Sequence, residues 1–468
     1  MTTASAELWN YLDDNSERFQ QALCDWLRIA SISTDSQYAD DVRAAAQWLF
    51  RHFDELGFAT EIIETVGHPI VYAESPPVEG APVVLVYGHY DVQPPDPLEL
   101  WDSPPFEPVI KDDKVFARGA TDDKGQLLTH VLSCEGWMKT QKALPLQIKF
   151  LVEGEEESGG AGLKEFLAGK YDGDGPSVNE KLAADICVIS DSSQYGPDQP
   201  AITYGLRGIA YYQLNVKGPN RDLHSGAFGG AVTNPANALA KILAGLLNED
   251  GQIQIPGFYD DVVELSDRER SEYAALNFDD NLFKADLEVV DFTGEKDYST
   301  LERRWARPTF DINGLWSGYQ GEGEKTVLPA EAGAKFSCRL VPNQDGEKIS
   351  KALEDRIREL CPPGIEFDLQ IRHTAPAVLV DLENRFMEPA AKAIEQGFGK
   401  RPVFIRSGGS IPVVNSFKEQ LGIDTLLLGW GQDDDCPHSP NEKFSLLDFQ
   451  RGIKASAALW EQLAKSGT

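Results

Sequence analysis

Three short apolar runs stand out in the first two hundred residues: PVVLVYG, LPLQIKFL and DICVIS. Each is strand-length and apolar at consecutive positions, the pattern of a strand covered on both faces. Upstream, Val42, Ala45, Leu49, Phe53 and Leu56 recur at helical spacing, and Gly57 is placed to end that helix. Between the first two runs, KGQLLTHVLSCEGWMK reads as a helix. This alternation predicts an α/β fold, a mostly parallel sheet flanked by helices.

The pattern changes near Gly205. RGIAYYQLNVKG alternates like a half-exposed strand, and NPANALAKILAGLLN is a helix with an Asn cap. An acidic, loop-rich stretch follows at about 250–305. Then come strand-like PTFDING and AKFSCRLVP, the helix EKISKALEDRIREL and strand-like IEFDLQIR. That order is β-α-β-β-α-β, a ferredoxin-like split βαβ unit able to fold alone. After about residue 380 the first style resumes with MEPAAKAIEQGFG, PVFIR, TLLLGW and a helix from Leu446. The expected organisation is one α/β domain, 1–206 with 380–468, interrupted by an inserted domain at 207–379.

Length supports two cores, since 468 residues exceed one ordinary domain. The balance of 43 basic against 75 acidic residues, net −32, excludes nucleic acid or an anionic membrane as partner. It reads as solubility first, with a salt-adapted source as the lesser alternative. No apolar run approaches the roughly 18 residues of a membrane span, and MTTASAELWNYLDDNSE lacks the basic and apolar regions of a secretory leader. Six cysteines without a Cys-x-x-Cys pair read as reduced thiols in a cytoplasmic protein. Cys436, beside an acidic cluster, reads as a structural, buried thiol.

The chemistry gathers at strand ends. VVLVYG runs into HYDVQP, so His89 and Asp91 point to one side if the extension continues. RGATDDKG places Asp122 and Asp123 where a helix opens; helix capping alone would explain aspartate there. LPLQIKFL runs into VEGEEESGG, with Glu156 and Glu157, and DICVIS into Asp191. DDDCPHSPNEK holds His438 in a Pro-rich turn. If the strands are parallel, these groups converge on one sheet edge, where α/β sheets bind ligands. Three carboxylates, Asp122, Glu157 and Asp191, with two neutral histidines carry a ligand charge of −3. One divalent ion would leave −1. Two would give +1, which a bridging hydroxide neutralises. Mixed imidazole and carboxylate ligation suits zinc, manganese or cobalt rather than calcium.

In this order and spacing, GHYDVQ, GATDDKG, EGEEESGG, SDSS, DLHSG, GGSIP and DDDCPHSPNEK resemble the di-metal amidohydrolases. That family includes carnosine dipeptidases, aminoacylases, glutamate carboxypeptidases and succinyl-diaminopimelate desuccinylases. The resemblance covers nearly the whole chain and is closest to the cytosolic non-specific dipeptidases. It implies two divalent ions per subunit, zinc first and manganese or cobalt as alternatives. His89, Asp122, Glu157, Asp191 and His438 would be the ligands, with Asp122 bridging. Asp91 would orient a ligand, and Glu156 would be general base to a metal-bridged hydroxide. His224 would be an oxyanion donor supplied by the partner subunit of a homodimer. Arg339, Thr326 and Ser410 would hold the substrate's C-terminal carboxylate. The implied activity is hydrolysis of dipeptides with a free carboxylate; the alternative is an N-acyl amino-acid deacylase or desuccinylase. A non-catalytic binding protein on this fold would show a broken ligand set, and this one is whole. His52, His68, His130 and His373 fit none of the motifs and read as structural or exposed.

Overall fold

The computed structural model describes residues 6–171, 176–409 and 411–466. The chain divides into two compact units, one from 1–204, 380–405 and 416–468, the other from 205–379 and 406–415. The stretch 406–415 thus groups with the second unit, not with the sequence that flanks it.

The first unit is built on a large mixed sheet. Its middle runs Gln147–Glu153, Val83–His89, Ile186–Ile189, Thr425–Gly429, and each neighbouring pair there is parallel. Of these four strands, Ile186–Ile189 and Thr425–Gly429 are buried along their whole length and the other two after their first residue, as their continuous apolar character requires. Outside the middle the sheet departs from the parallel expectation. Ala59–Ile63 and Ile70–Glu74 pair antiparallel with each other, and the latter pairs antiparallel with Gln147–Glu153. On the other side Ala201–Leu206 runs antiparallel to Thr425–Gly429. The physical reason is the connection: six residues join Ala59–Ile63 to Ile70–Glu74, enough for a hairpin and too few for a parallel crossover.

Helices Lys124–Gln141 and Leu446–Lys465 pack together in this unit and satisfy each other's buried polar groups. Trp137 Nε1 donates to the Ala457 carbonyl at 2.9 Å, and Trp460 Nε1 to Ser133 Oγ at 2.7 Å. Helix Met387–Phe398 lies against Leu446–Lys465 through Gly397. A Cβ there would stand 2.5 Å from the Ala455 nitrogen and 2.7 Å from its Cα, both backbone atoms. Gly397→Ala should therefore cost about 1–3 kcal/mol, the usual toll of overpacking. Urea unfolding measures it, and an unmoved midpoint would refute the close approach.

The second unit holds a four-stranded antiparallel sheet in the order Thr309–Ser317, Glu331–Leu340, Gly208–Lys217, Glu366–Ala375. With helices Pro235–Ala244 and Gly346–Leu360 it is the expected β-α-β-β-α-β arrangement. Alternation sets its core. Ala210, Tyr212, Leu214 and Val216 meet Ala334, Phe336, Cys338 and Leu340 on the face that Leu239, Ile242, Leu353 and Ile357 cover. The acidic stretch is more ordered than its composition suggests. It contains helices Asp267–Ala275, Asp280–Asp286 and Thr300–Trp305, the first and last opened by the capping boxes Ser266/Glu269 and Ser299/Glu302. Arg307 ties it down, gripping Glu295 through two bonds of 2.7 and 2.8 Å and Glu264 at 2.8 Å.

Among the described residues no helix is long and apolar enough to cross a membrane. Cys24, Cys134, Cys187 and Cys338 are buried, but Cys436 is exposed, which corrects the buried reading. Its turn lies outside the sheet, and among the described residues its Sγ reaches only the Asp434 carbonyl, at 3.4 Å. The four remaining histidines are accounted for by packing. His130 is buried with Nε2 2.9 Å from Ser190 Oγ, His52 stacks on Trp48, His68 reaches the Ser33 carbonyl and His373 stacks on Tyr211.

Candidate active site

The parallel strands place their carboxyl ends along one edge of the sheet, and the loops leaving that edge carry the site. Val83–His89 ends in His89 itself, opposite Glu153 of its neighbour. Gln147–Glu153 leads into the short helix Glu156–Ser158, Ile186–Ile189 into Asp191, and Thr425–Gly429 into the loop bearing His438.

Two groups of metal-ligating atoms result, His89–Asp122–Asp191 and Asp122–Glu157–His438, each with its atoms within 4.8 Å of one another. Asp122 belongs to both. One of its oxygens is 3.1 Å from His89 Nε2 and the other 2.9 Å from His438 Nε2. Asp191 is 4.0 Å from His89 Nε2, and Glu157 is 3.3 Å from His438 Nε2. His89 donates Nδ1–H to the Asp91 carbonyl at 3.1 Å, which leaves Nε2 facing the carboxylates.

The Asp91 carboxylate has a task the sequence did not suggest. It accepts the Ser33 hydroxyl at 2.6 Å and the amides of Glu156 and Glu157 at 3.2 and 3.1 Å, pinning the loop that carries both glutamates. The other glutamates of VEGEEESGG are settled separately. Glu153 accepts the Tyr87 hydroxyl at 2.5 Å, and Glu155 accepts the Gly162 amide at 2.8 Å. Asp123 stands at the N-terminus of helix Lys124–Gln141 but makes no capping bond; its carboxylate accepts the His89 amide at 3.3 Å. The peptide bond between Asp122 and Asp123 is cis. His438 has a φ of +59°, flanked by Cys436 at +56° and Asn441 at +63°, a left-handed backbone that costs roughly 1–3 kcal/mol per residue and concentrates at functional sites.

Electrostatics test whether cations suit this donor set. Among the described residues no lysine or arginine pairs with Asp122, Glu157 or Asp191; their only ion-pair partners are the two histidines. Asp122 and Glu157 lift the His438 imidazole to about 10. Burial works against the charged form of His89, yet Asp122, Asp91 and Asp191 raise it well above its ordinary value. Burial, with Asp122 beside it, pushes Asp191 up to about 8. Burial also raises Glu156, joined by repulsion from Glu157, Asp91 and Asp122 and opposed by His89. Bare, the cluster can relieve its repulsion only by taking up protons. A divalent cation in each group would do the same with ligands deprotonated, so the donor set fits two such ions.

In the second unit the structure brings His224 and Thr326 together. His224 pairs across a two-residue ladder with Val327, and the Ser225 amide donates to the Thr326 carbonyl at 3.1 Å. His224 is exposed, and its Nδ1 accepts the Gly226 amide at 3.0 Å, so the neutral ring carries its proton on Nε2, pointing away. Arg339 is half-buried on the sheet face opposite the apolar core, cross-strand from Thr309 and Ile209. Ser410 lies outside the described residues.

Comparison with known proteins agrees with this geometry. The profile of Peptidase family M20/M25/M40 matches residues 85–462. The Cys-Gly metallodipeptidase DUG1 of Candida albicans is 33% identical, over 96% of this chain and 95% of the relative. The human Beta-Ala-His dipeptidase is 29% identical, over 98% and 92%. The solved structure of the di-peptidase Dug1p from Saccharomyces cerevisiae superposes with a TM-score of 0.80, at 31% identity and 98% coverage of each chain. A profile spanning most of the sequence and a relative matched along nearly its whole length place this chain in peptidase family M20/M25/M40.

Proposed function

We propose that this protein is a metal-dependent dipeptidase that cleaves dipeptides bearing a free C-terminal carboxylate. The observation that carries the reading is Asp122 shared between two ligand groups, with half-buried Glu156 beside them. His89, Asp122 and Asp191 would hold one divalent cation, zinc foremost, and Asp122, Glu157 and His438 would hold the other. Bound there, the cations would lower the pKa of the attacking water and polarise the scissile carbonyl. Glu156, its carboxyl raised by burial, takes the proton from the attacking water and gives it to the departing amine nitrogen. Asp91 keeps Glu156 in place by holding its amide. The partner subunit's His224 donates Nε2–H to the oxygen that gains negative charge. A homodimer is supported by the edge strand Thr309–Ser317, which exposes Ile312, Leu315 and Trp316 above an apolar groove of about 590 Å³. A fully active monomer would remove that part of the reading. The unpaired cysteines suit a reducing compartment such as the cytoplasm.

Arg339, Thr326 and Ser410 receive the substrate's carboxylate, the arginine by a paired hydrogen-bonding fork. The test is hydrolysis by metal-stripped protein reloaded with zinc, manganese or cobalt. Its substrates are free dipeptides, C-terminally amidated dipeptides, and N-acetyl and N-succinyl amino acids. Free dipeptides alone should be cut, including those of the Cys-Gly and β-Ala-His kind for which its relatives are named. Arg339→Ala should raise KM at least tenfold, the loss of about 1.5–3 kcal/mol for a hydrogen bond to a charged group. Cleavage of acylated amino acids instead would move the protein to a deacylase role, and an unchanged KM would take the carboxylate away from Arg339.

A further inference from the structure

Glu442 is fully buried and belongs to neither ligand group. Its carboxylate is nevertheless the meeting point of four donors. Oε2 accepts Arg118 Nη1 at 2.7 Å and the Gly119 amide at 2.9 Å. Oε1 accepts the amides of Thr121 and Asp122 at 3.0 and 3.2 Å. The last is the backbone of the shared carboxylate residue. Glu442 itself lies four positions beyond His438. A second tie joins the same two segments, because Asp435 Oδ2 accepts the Thr121 hydroxyl at 3.1 Å and the Gln432 amide at 2.8 Å. The segment that carries His438 therefore grips the segment that carries Asp122, across some 320 residues of sequence, and grips it by the main chain. Ordinary loop packing does not demand a charged group there. Without the carboxylate, three amides and a guanidinium would lose their acceptor in the protein interior.

Resting on the two-ion reading above, we infer that Glu442 is a positioning residue that fixes Asp122 relative to His438 and so sets the affinity of the Asp122–Glu157–His438 group for its cation. It touches neither substrate nor ion. The competing role is plain neutralisation of buried Arg118, and a double variant separates the two. A buried ion pair replaced on both sides by neutral groups is often tolerated, whereas a lone buried charge is not. In R118M/E442Q no charge is stranded, but the carboxylate grip on the Asp122 loop is still gone.

The experiment is titration of the metal-stripped full chain with cobalt, followed by its absorption bands and by chelator competition. It is run on wild type, E442Q, E442D and R118M/E442Q, with folding checked by thermal melting. Wild type should bind two equivalents. Each folded variant should keep one near wild-type affinity and bind the other about 10–100-fold more weakly, the effect expected when a group that orients a ligand is lost. The inference is overturned if any folded variant binds both equivalents as wild type does, R118M/E442Q above all. It is also overturned if no variant folds, since Glu442 then serves the fold and not the site. Wild type binding fewer than two equivalents removes the two-ion reading itself, a result that needs no variant.

Discussion

Glu156→Gln should lower kcat by about 10²–10⁴-fold, the range by which a positioned acid–base group accelerates a reaction, with KM and metal content near wild type. The separation of effects follows from where Glu156 sits. Its side chain belongs to neither ligand group, and its amide is held by Asp91 whatever its side chain. Glutamine keeps the shape and loses the proton acceptor. The group is also tuned for the task. Burial and the neighbouring carboxylates raise it above the usual glutamate range, toward the pH at which it must accept a proton and then release it. Steady-state kinetics with one dipeptide, beside metal analysis of the same sample, decide the matter. A variant that lost metal in step with activity would make Glu156 a ligand, and one of undiminished kcat would end its role as base.

The second large effect belongs to Asp122. Asp122→Asn should bring dipeptide hydrolysis down to the buffer blank and strip both cations, whereas His438→Ala should strip one. Asp122 alone is common to the two groups, and its oxygens are divided between them at 3.1 Å from His89 and 2.9 Å from His438. An amide offers one oxygen and no charge, so neither side keeps what it had. Loss of a single equivalent from Asp122→Asn would show that the groups are independent.

Much of this was readable in the chain, for identifiable reasons. Continuous apolar runs marked the four buried strands, because a strand covered on both faces cannot alternate. Parallel pairing then obliged His89, Glu157, Asp191 and His438 to gather at one edge. The hairpin Ala59–Ile63 with Ile70–Glu74 went unread, since the two isoleucines of ATEII are adjacent and its letters do not show the alternating burial that the folded strand has. The helices in the acidic stretch were legible, yet charge obscured them. SDRE and STLE are both capping boxes, a local signal that net composition does not cancel. Glu442 was in view within HSPNEK. Its partners, Gly119, Thr121 and Asp122, lie some 320 positions away, and only folding reveals which buried carboxylate feeds which backbone.

The position of Thr425–Gly429 has a consequence for how the molecule is made. This strand is synthesised long after Ile186–Ile189 and Ala201–Leu206, yet it sits inside the sheet, between the two. Until it emerges from the ribosome, Ile186–Ile189 has an open flank, a template for wrong pairing that a growing chain must keep covered. His438 and Glu442 emerge later still. A chain made only as far as Glu156 and Glu157 thus owns the glutamates but not the assembled centre, which waits for His438.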